Sequence, residues 1–151
     1  MKKFLVLALV AMISATGFSK TIDEIFNAFP EADNVQQINL DKAMLAMAWS
    51  AGGEKAKQMK DIDAMRVIAI EDATDEQVKI AKDLANEGVD GFDVMIDADE
   101  EGEHALILTQ GDEELIHKML IIAIAKEEVA VVLIEGNIDP KNATNMVNIA
   151  K

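Results

Sequence analysis

Apolar positions are densest between Leu115 and Ile138, in the stretch LIHKMLIIAIAKEEVAVVLIEGNI. Met119 to Ala125 is continuously apolar, and so is Val129 to Ile134. Lys126, Glu127 and Glu128 interrupt the stretch between them. Both runs are rich in Ile and Val, whose branched Cβ suits a pleated surface better than a helix. Each run is strand length, and the break is hairpin length. In the first, Leu120, Ile122 and Ile124 alternate with Met119, Ile121 and Ala123. In the second, Val129, Val131 and Leu133 alternate with Ala130, Val132 and Ile134. Both sides of both strands are therefore apolar, and an antiparallel pair buried on two faces is expected.

The pattern upstream is more varied. Ile22, Ile25, Phe26 and Phe29 follow i, i+3, i+4, i+7 spacing, so Thr21 to Phe29 reads as a short helix ended by Pro30. Asn34 to Leu40 is a candidate strand. Asp41 is a good N-cap for a helix through AMLAMAWS, Ala43 to Ser50, which Gly52 and Gly53 break before a second helical piece at Glu54 to Lys60. Met65 to Ile70 predicts a strand apolar on both sides. Thr74 and Gln77 match a capping box ahead of Val78, Ala81, Leu84 and Ala85, with Gly88 in position to end that helix. Phe92, Val94 and Ile96 alternate with Asp93, Met95 and Asp97, the pattern of a half-exposed strand. An acidic turn, Ala98 to Glu103, leads to a strand at His104 to Thr109. Gly111 and Asp112 then turn the chain into the apolar pair, with Glu113 to Met119 open to a helical reading. Asp139 and Pro140 suit the start of a closing helix with Ala143, Met146, Val147 and Ala150 on one side.

This order predicts an α+β fold, a mainly antiparallel sheet with a C-terminal four-strand meander and helices packed on the sheet. The two strand–helix–strand connections are expected to be right-handed. Helices at Asp41 to Lys60 and Thr74 to Glu87 would cover one face. The other face would depend on the short helices at Thr21 to Phe29 and Ala143 to Ala150. Any part left uncovered would be an apolar groove or a homodimer interface.

Charge and composition narrow the function. The chain has 28 acidic and 14 basic residues, a net charge of −14. Nothing in such a balance neutralises a phosphate backbone, which argues against nucleic acid as a partner, and against an anionic membrane surface. With no cysteine, disulfides, thiolate metal sites, Cys nucleophiles and cysteine lipidation are excluded. Lys2 and Lys3 precede the apolar run Phe4 to Ile13, followed by small residues at Ala15, Gly17 and Ser19. This is the pattern of a secretory signal peptide over residues 1–19, with cleavage after Gly17 or Ser19. The apolar run is too short to span a bilayer. Residues 20–151 are then expected to form a single α+β domain, exported to the periplasm, soluble, and with no lipid anchor.

These features together resemble the domain of unknown function 4252 family, small exported Bacteroidetes proteins. The resemblance rests on the signal peptide, AMLAM at Ala43 to Met47, and MKDIDAMRVIAI at Met59 to Ile70. It continues through the Ile/Val-rich hairpin ending in GNID, Gly136 to Asp139, and the short closing helix. It covers nearly all of the mature chain and implies an exported α+β domain. Many members carry a lipoprotein cysteine, which this chain lacks. The family has no established activity, so the resemblance brings no site residues with it.

Candidate chemistry is sparse. DADEEGE, Asp97 to Glu103, places acids and a glycine like the start of a calcium loop, with Asp97, Asp99 and Glu101 as candidate ligands. The position that should hold a bidentate acid is Leu108, so an EF-hand is excluded and a solvated turn is expected. His104 and His117 form no HxH or HExxH spacing, and Glu114 with His117 makes a single Glu-x-x-His without the second copy a dimetal site needs. Met44 and Met47 are three apart, a spacing open to Cu(I), although methionines usually fill core gaps. Ser50 lacks the G-x-S-x-G elbow, and Gly52-Gly53 lacks the rest of a phosphate loop. Trp49 suits core packing or a ligand groove. No cofactor is implied. The expectation is an envelope protein working as a non-enzymatic interaction or small-ligand-binding module, with an unknown envelope protein or small ligand as partner. The alternative is a carboxylate-dependent hydrolase using Asp93, Asp97 or Asp99. Paired carboxylates in a deep pocket would favour the enzyme, and a flat apolar surface would favour binding.

Overall fold

The computed structural model describes residues 20–51, 61–112 and 114–141. Their elements follow in the order α1 (Ile22–Phe26), β1 (Val35–Leu40), α2 (Lys42–Ala51), β2 (Ile62–Ile70), α3 (Asp75–Glu87), β3 (Asp93–Glu100), β4 (Glu103–Gly111), β5 (Ile116–Ile124) and β6 (Val129–Ile138). The strands make one sheet ordered β1-β2-β6-β5-β4-β3, and every neighbouring pair is antiparallel. The last four strands are the expected meander, and β6 closes it by pairing with β2. The architecture is α+β. No helix among the described residues is long and apolar enough to cross a membrane. The signal-peptide pattern, the helical piece at Glu54 to Lys60, Gly52-Gly53, the side chain of Trp49 and the closing helix at Ala143 to Ala150 lie outside the described residues.

Local sequence sets the helix starts. The Thr21 hydroxyl accepts from the Glu24 N–H at the head of α1. Asp41 Oδ1 accepts from the Met44 N–H at 2.9 Å, capping α2. At α3, Thr74 Oγ1 accepts from the Gln77 N–H while Gln77 Oε1 accepts from the Thr74 N–H, the complete capping box. Gly88 ends α3 with φ +78°, a left-handed conformation in which glycine has no Cβ to strain.

The sheet is buried on both faces at its centre, as the alternation in β5 and β6 requires. On the first face, Ile68, Ile70, Leu106, Leu108, Leu120, Ile122, Ile124, Val129, Val131 and Leu133 pack under α1 and α3. Ile25 and Phe26 of α1, Phe29 just after it, and Ala81 and Leu84 of α3 complete that core. On the second face, Ile107, Met119, Ile121 and Ile134 join Ile62, Ile116 and Ile138, and α2 contributes Leu45. At ~25 cal/mol per Å² of apolar area, such burial is the main term favouring the fold.

Four expectations change. The helices expected to share one face lie on opposite faces, α3 on the first and α2 on the second. The right-handed crossover rule has no bearing on β1–α2–β2, because β1 and β2 are adjacent and antiparallel. The residues from Ile116 are strand, so the helical reading of the segment before Met119 does not hold there. In β3 a bulge between Val94 and Ile96 breaks the alternation. Val94 pairs with Leu108, and Ile96 with Ile107, so the two apolar residues face opposite sides.

Candidate functional site

The hairpin from Asp93 to Gly111 gathers most of the candidate chemistry. The strands run closer to the tip than the sequence pattern implied, leaving a two-residue turn at Glu101 and Gly102. Both turn residues have positive φ, +52° and +85°, the requirement of a tight hairpin turn whose twist matches the strands. The acidic run is therefore mostly strand, and its carboxylates diverge. Asp97 and Asp99 point to the first face, opposite Leu106 and His104. Glu100 points to the second, and Glu101 projects from the turn. Asp93 pairs with Thr109 and so, beyond the bulge, faces the second side, away from Asp97 and Asp99. Among the described residues, no three His, Cys, Asp or Glu side chains gather to hold a metal ion.

The hairpin does make one pair that the linear pattern hid. His104 Nε2 lies 2.6 Å from Asp97 Oδ1, with the imidazole half-buried and the carboxylate exposed. The signal was available in the register. A turn at residues 101 and 102 sets His104 opposite Asp99 and diagonal to Asp97, and diagonal side chains on one face are within reach. A carboxylate that fixes an imidazole is one part of an acid–base device, and a nucleophile is the other. Ser50 does not supply it. That residue is on α2, which packs on the opposite face, and its hydroxyl donates to the Met47 carbonyl at 2.8 Å.

The remaining candidates are scattered. His117 is exposed on β5, and Glu114 sits in the turn before it. That turn is held by Asp112, whose Oδ1 accepts from the N–H groups of Leu115 and Glu114, each at 2.9 Å. These two bonds, Leu115 first, hold the Asp112 carboxyl below the usual carboxylate range. Met44 and Met47 are both exposed on α2, Met47 to 75%.

An open hollow of about 560 Å³ lies beside β1, lined by Glu31, Ala32, Asp33, Val35 and Gln37. It is shallow and polar, unlike the enclosed apolar clefts that take small molecules. Glu31 and Asp33 are exposed on its lip.

The two sheet edges differ in character. β3 is bulged and carries Asp93, Asp97, Asp99 and Glu100, which discourages edge-on pairing. β1 reads VQQINL, without charge, proline or a bulge, and Ile38 on it is 45% exposed. The sequence pattern marked β1 only as a strand; its position at an edge comes from the sheet order.

No curated protein matches the chain. A family model does: the domain of unknown function (DUF4252) matches residues 26–146, from α1 to beyond β6, and the chain belongs to that family.

Proposed function

We propose that this chain is an exported envelope protein, soluble in the periplasm, that works as a non-enzymatic interaction module. The observation that carries this reading is the placement of its exposed apolar side chains. Of the six large apolar side chains exposed among the described residues, Ile38 on β1 and Met44 and Met47 on α2 belong to neighbouring elements at one margin of the sheet, while Val94 and Met95 are on β3 and Leu115 is in the turn before β5. The carboxylates of the hydrolase alternative are split between the two faces, which favours binding over catalysis. The open polar hollow favours a macromolecular partner over a small ligand. Export rests on the Lys2-Lys3 start, the Phe4 to Ile13 run and the small residues that follow.

Purified mature protein should hydrolyse generic ester, phosphoester, glycoside and peptide substrates no faster than buffer does. A saturable hydrolysis that disappears in Asp97→Asn or Asp93→Asn would overturn the reading.

A further inference from the structure

We propose that the open edge of β1 pairs antiparallel with β1 of a second copy, about a twofold axis at Ile38, joining the two six-stranded sheets into one. This rests on the reading of the chain as an interaction module and names its partner. The backbone geometry of the edge comes first. The Glu71 N–H donates to the Asn34 carbonyl, so 34 and 71 form a hydrogen-bonded pair. In an antiparallel ladder such pairs alternate. Gln36, Ile38 and Leu40 therefore direct their backbone groups toward β2, at Ala69, Val67 and Met65. Val35, Gln37 and Asn39 direct theirs outward. The Val35 N–H is already used by the Ala32 carbonyl at 3.0 Å. Gln37 and Asn39 present N–H and C=O groups to an edge that no described strand covers.

A twofold axis can join these groups in only a few registers, because an outward residue must meet an outward residue. Setting Gln37 against Asn39 of the other copy satisfies both pairs at once and places Ile38 against its own copy. Ile38 is then in a non-hydrogen-bonded position, where side chains are closest, at Cα separations of about 4.5 Å. Every residue paired from Gln36 to Leu40 is uncharged. This matters in a chain of net charge −14, since the other edge would set aspartates against aspartates. The axis is perpendicular to the sheet, so both α2 helices lie on the same side of the seam. Each packs over β1 and β2 and carries the exposed Met44 and Met47. A six-residue edge is small beside a standard interface of about 800 Å² per partner, so the association is expected to be weak and concentration-dependent.

The chain has no cysteine, which makes Ile38→Cys a direct test of the register. Two copies with Cα atoms about 4.5 Å apart satisfy disulfide geometry. Mild oxidation should convert the Ile38→Cys protein largely to a covalent dimer, and Met95→Cys, exposed at the opposite edge, should stay behind. Sedimentation of the wild type should show reversible dimerisation, weakened about tenfold or more by Ile38→Lys at this exposed position. Equal crosslinking of the two cysteine variants would overturn the proposal, as would a dimer indifferent to Ile38→Lys. So would a wild type that stays monomeric to about 0.5 mM, well above a micromolar constant. In that monomer, amide exchange identifies the alternative. Protected Gln37 and Asn39 mean that this chain covers its own edge, and exchanging ones leave the edge to a strand of another protein. A monomer would not touch the non-enzymatic reading, which stands or falls on the hydrolysis assay.

Discussion

Single residues carry effects here that their position in the sequence only partly discloses. Gln77 is the one buried polar residue among those described. Besides completing the capping box, its Oε1 accepts from Asn34 Nδ2 at 2.7 Å and its Nε2 donates to Asn34 Oδ1 at 3.1 Å. The cap of α3 is thereby tied to the turn before β1. Gln77→Leu should cost about 1–3 kcal/mol, because it removes the side-chain half of the capping box, at the Thr74 N–H, and both bonds to the Asn34 amide, which keeps only the Asp72 carbonyl at 3.4 Å. Urea unfolding measures this; a loss under about 0.5 kcal/mol, the size of an ordinary surface change, would refute the tie. Asp112 gives a pH dependence. Its folded pKa is lowered, first by the Leu115 N–H and then by the Glu114 N–H. The stabilisation is thus present above the unfolded value of about 3.9, and is lost as pH falls through the folded value. Asp112→Asn keeps an acceptor oxygen and cannot titrate. Its denaturation midpoint should fall less between pH 5 and pH 2 than that of the wild type. Parallel curves for the two proteins would show that the turn carries no such linkage.

At the scale of elements, β5 and β6 do what their composition demands. Leu120 and Ile122 are buried under α1 and α3, and Met119 and Ile121 are buried on the face that carries α2. Ile121 and Ile122 are 5% and 1% exposed, so both positions are covered within a single chain. Ile121→Asp and Ile122→Asp should each destabilise by roughly 3 kcal/mol or more, through burial of an unpaired carboxylate. A folded Ile121→Asp protein with a near-normal midpoint would mean that the second face is looser than its burial indicates. Close approach also constrains β6. A Cβ on Gly136 would collide with the Asp61 carbonyl oxygen, and would lie 2.9 Å from Ile62 Cα, where β2 and β6 meet at a bulge. Both obstacles are backbone, so the collision cannot be relieved by turning a side chain.

On the scale of the whole molecule, the charge and the sheet edges work together. A surface with an excess of carboxylates keeps copies apart except where a strand without charge reaches the margin. β1 is that strand, and it lies across the sheet from the acidic, bulged β3. Export can be examined separately. The mature protein should begin near Phe18 or Lys20 and fractionate with periplasmic contents, and intact-mass analysis would show it. A full-length chain in the cytoplasm would end the export reading.

The sequence by itself determined the strand pair at Met119 to Ile134, the capping box at Thr74 and Gln77, and the α+β class. Each is a local matter, because alternation, β-branching and cap chemistry act over a few residues. The family followed from other local stretches as well, Ala43 to Met47 and Met59 to Ile70 beside the hairpin that ends at Gly136 to Asp139. Only the tertiary structure decided which helices share a face, since apolar stripes do not say which side of a two-faced sheet they will meet. It also decided that Val94 and Ile96 part company, because a bulge is a property of a strand and its partner together. The His104–Asp97 contact needed the hairpin register, and the exposed edge at Val35–Leu40 needed the strand order. A strand's own residues can be satisfied equally well at the centre of a sheet or at its margin. What places β1 outside is β6, which pairs with β5 along one edge and fills the position beside β2 with the other.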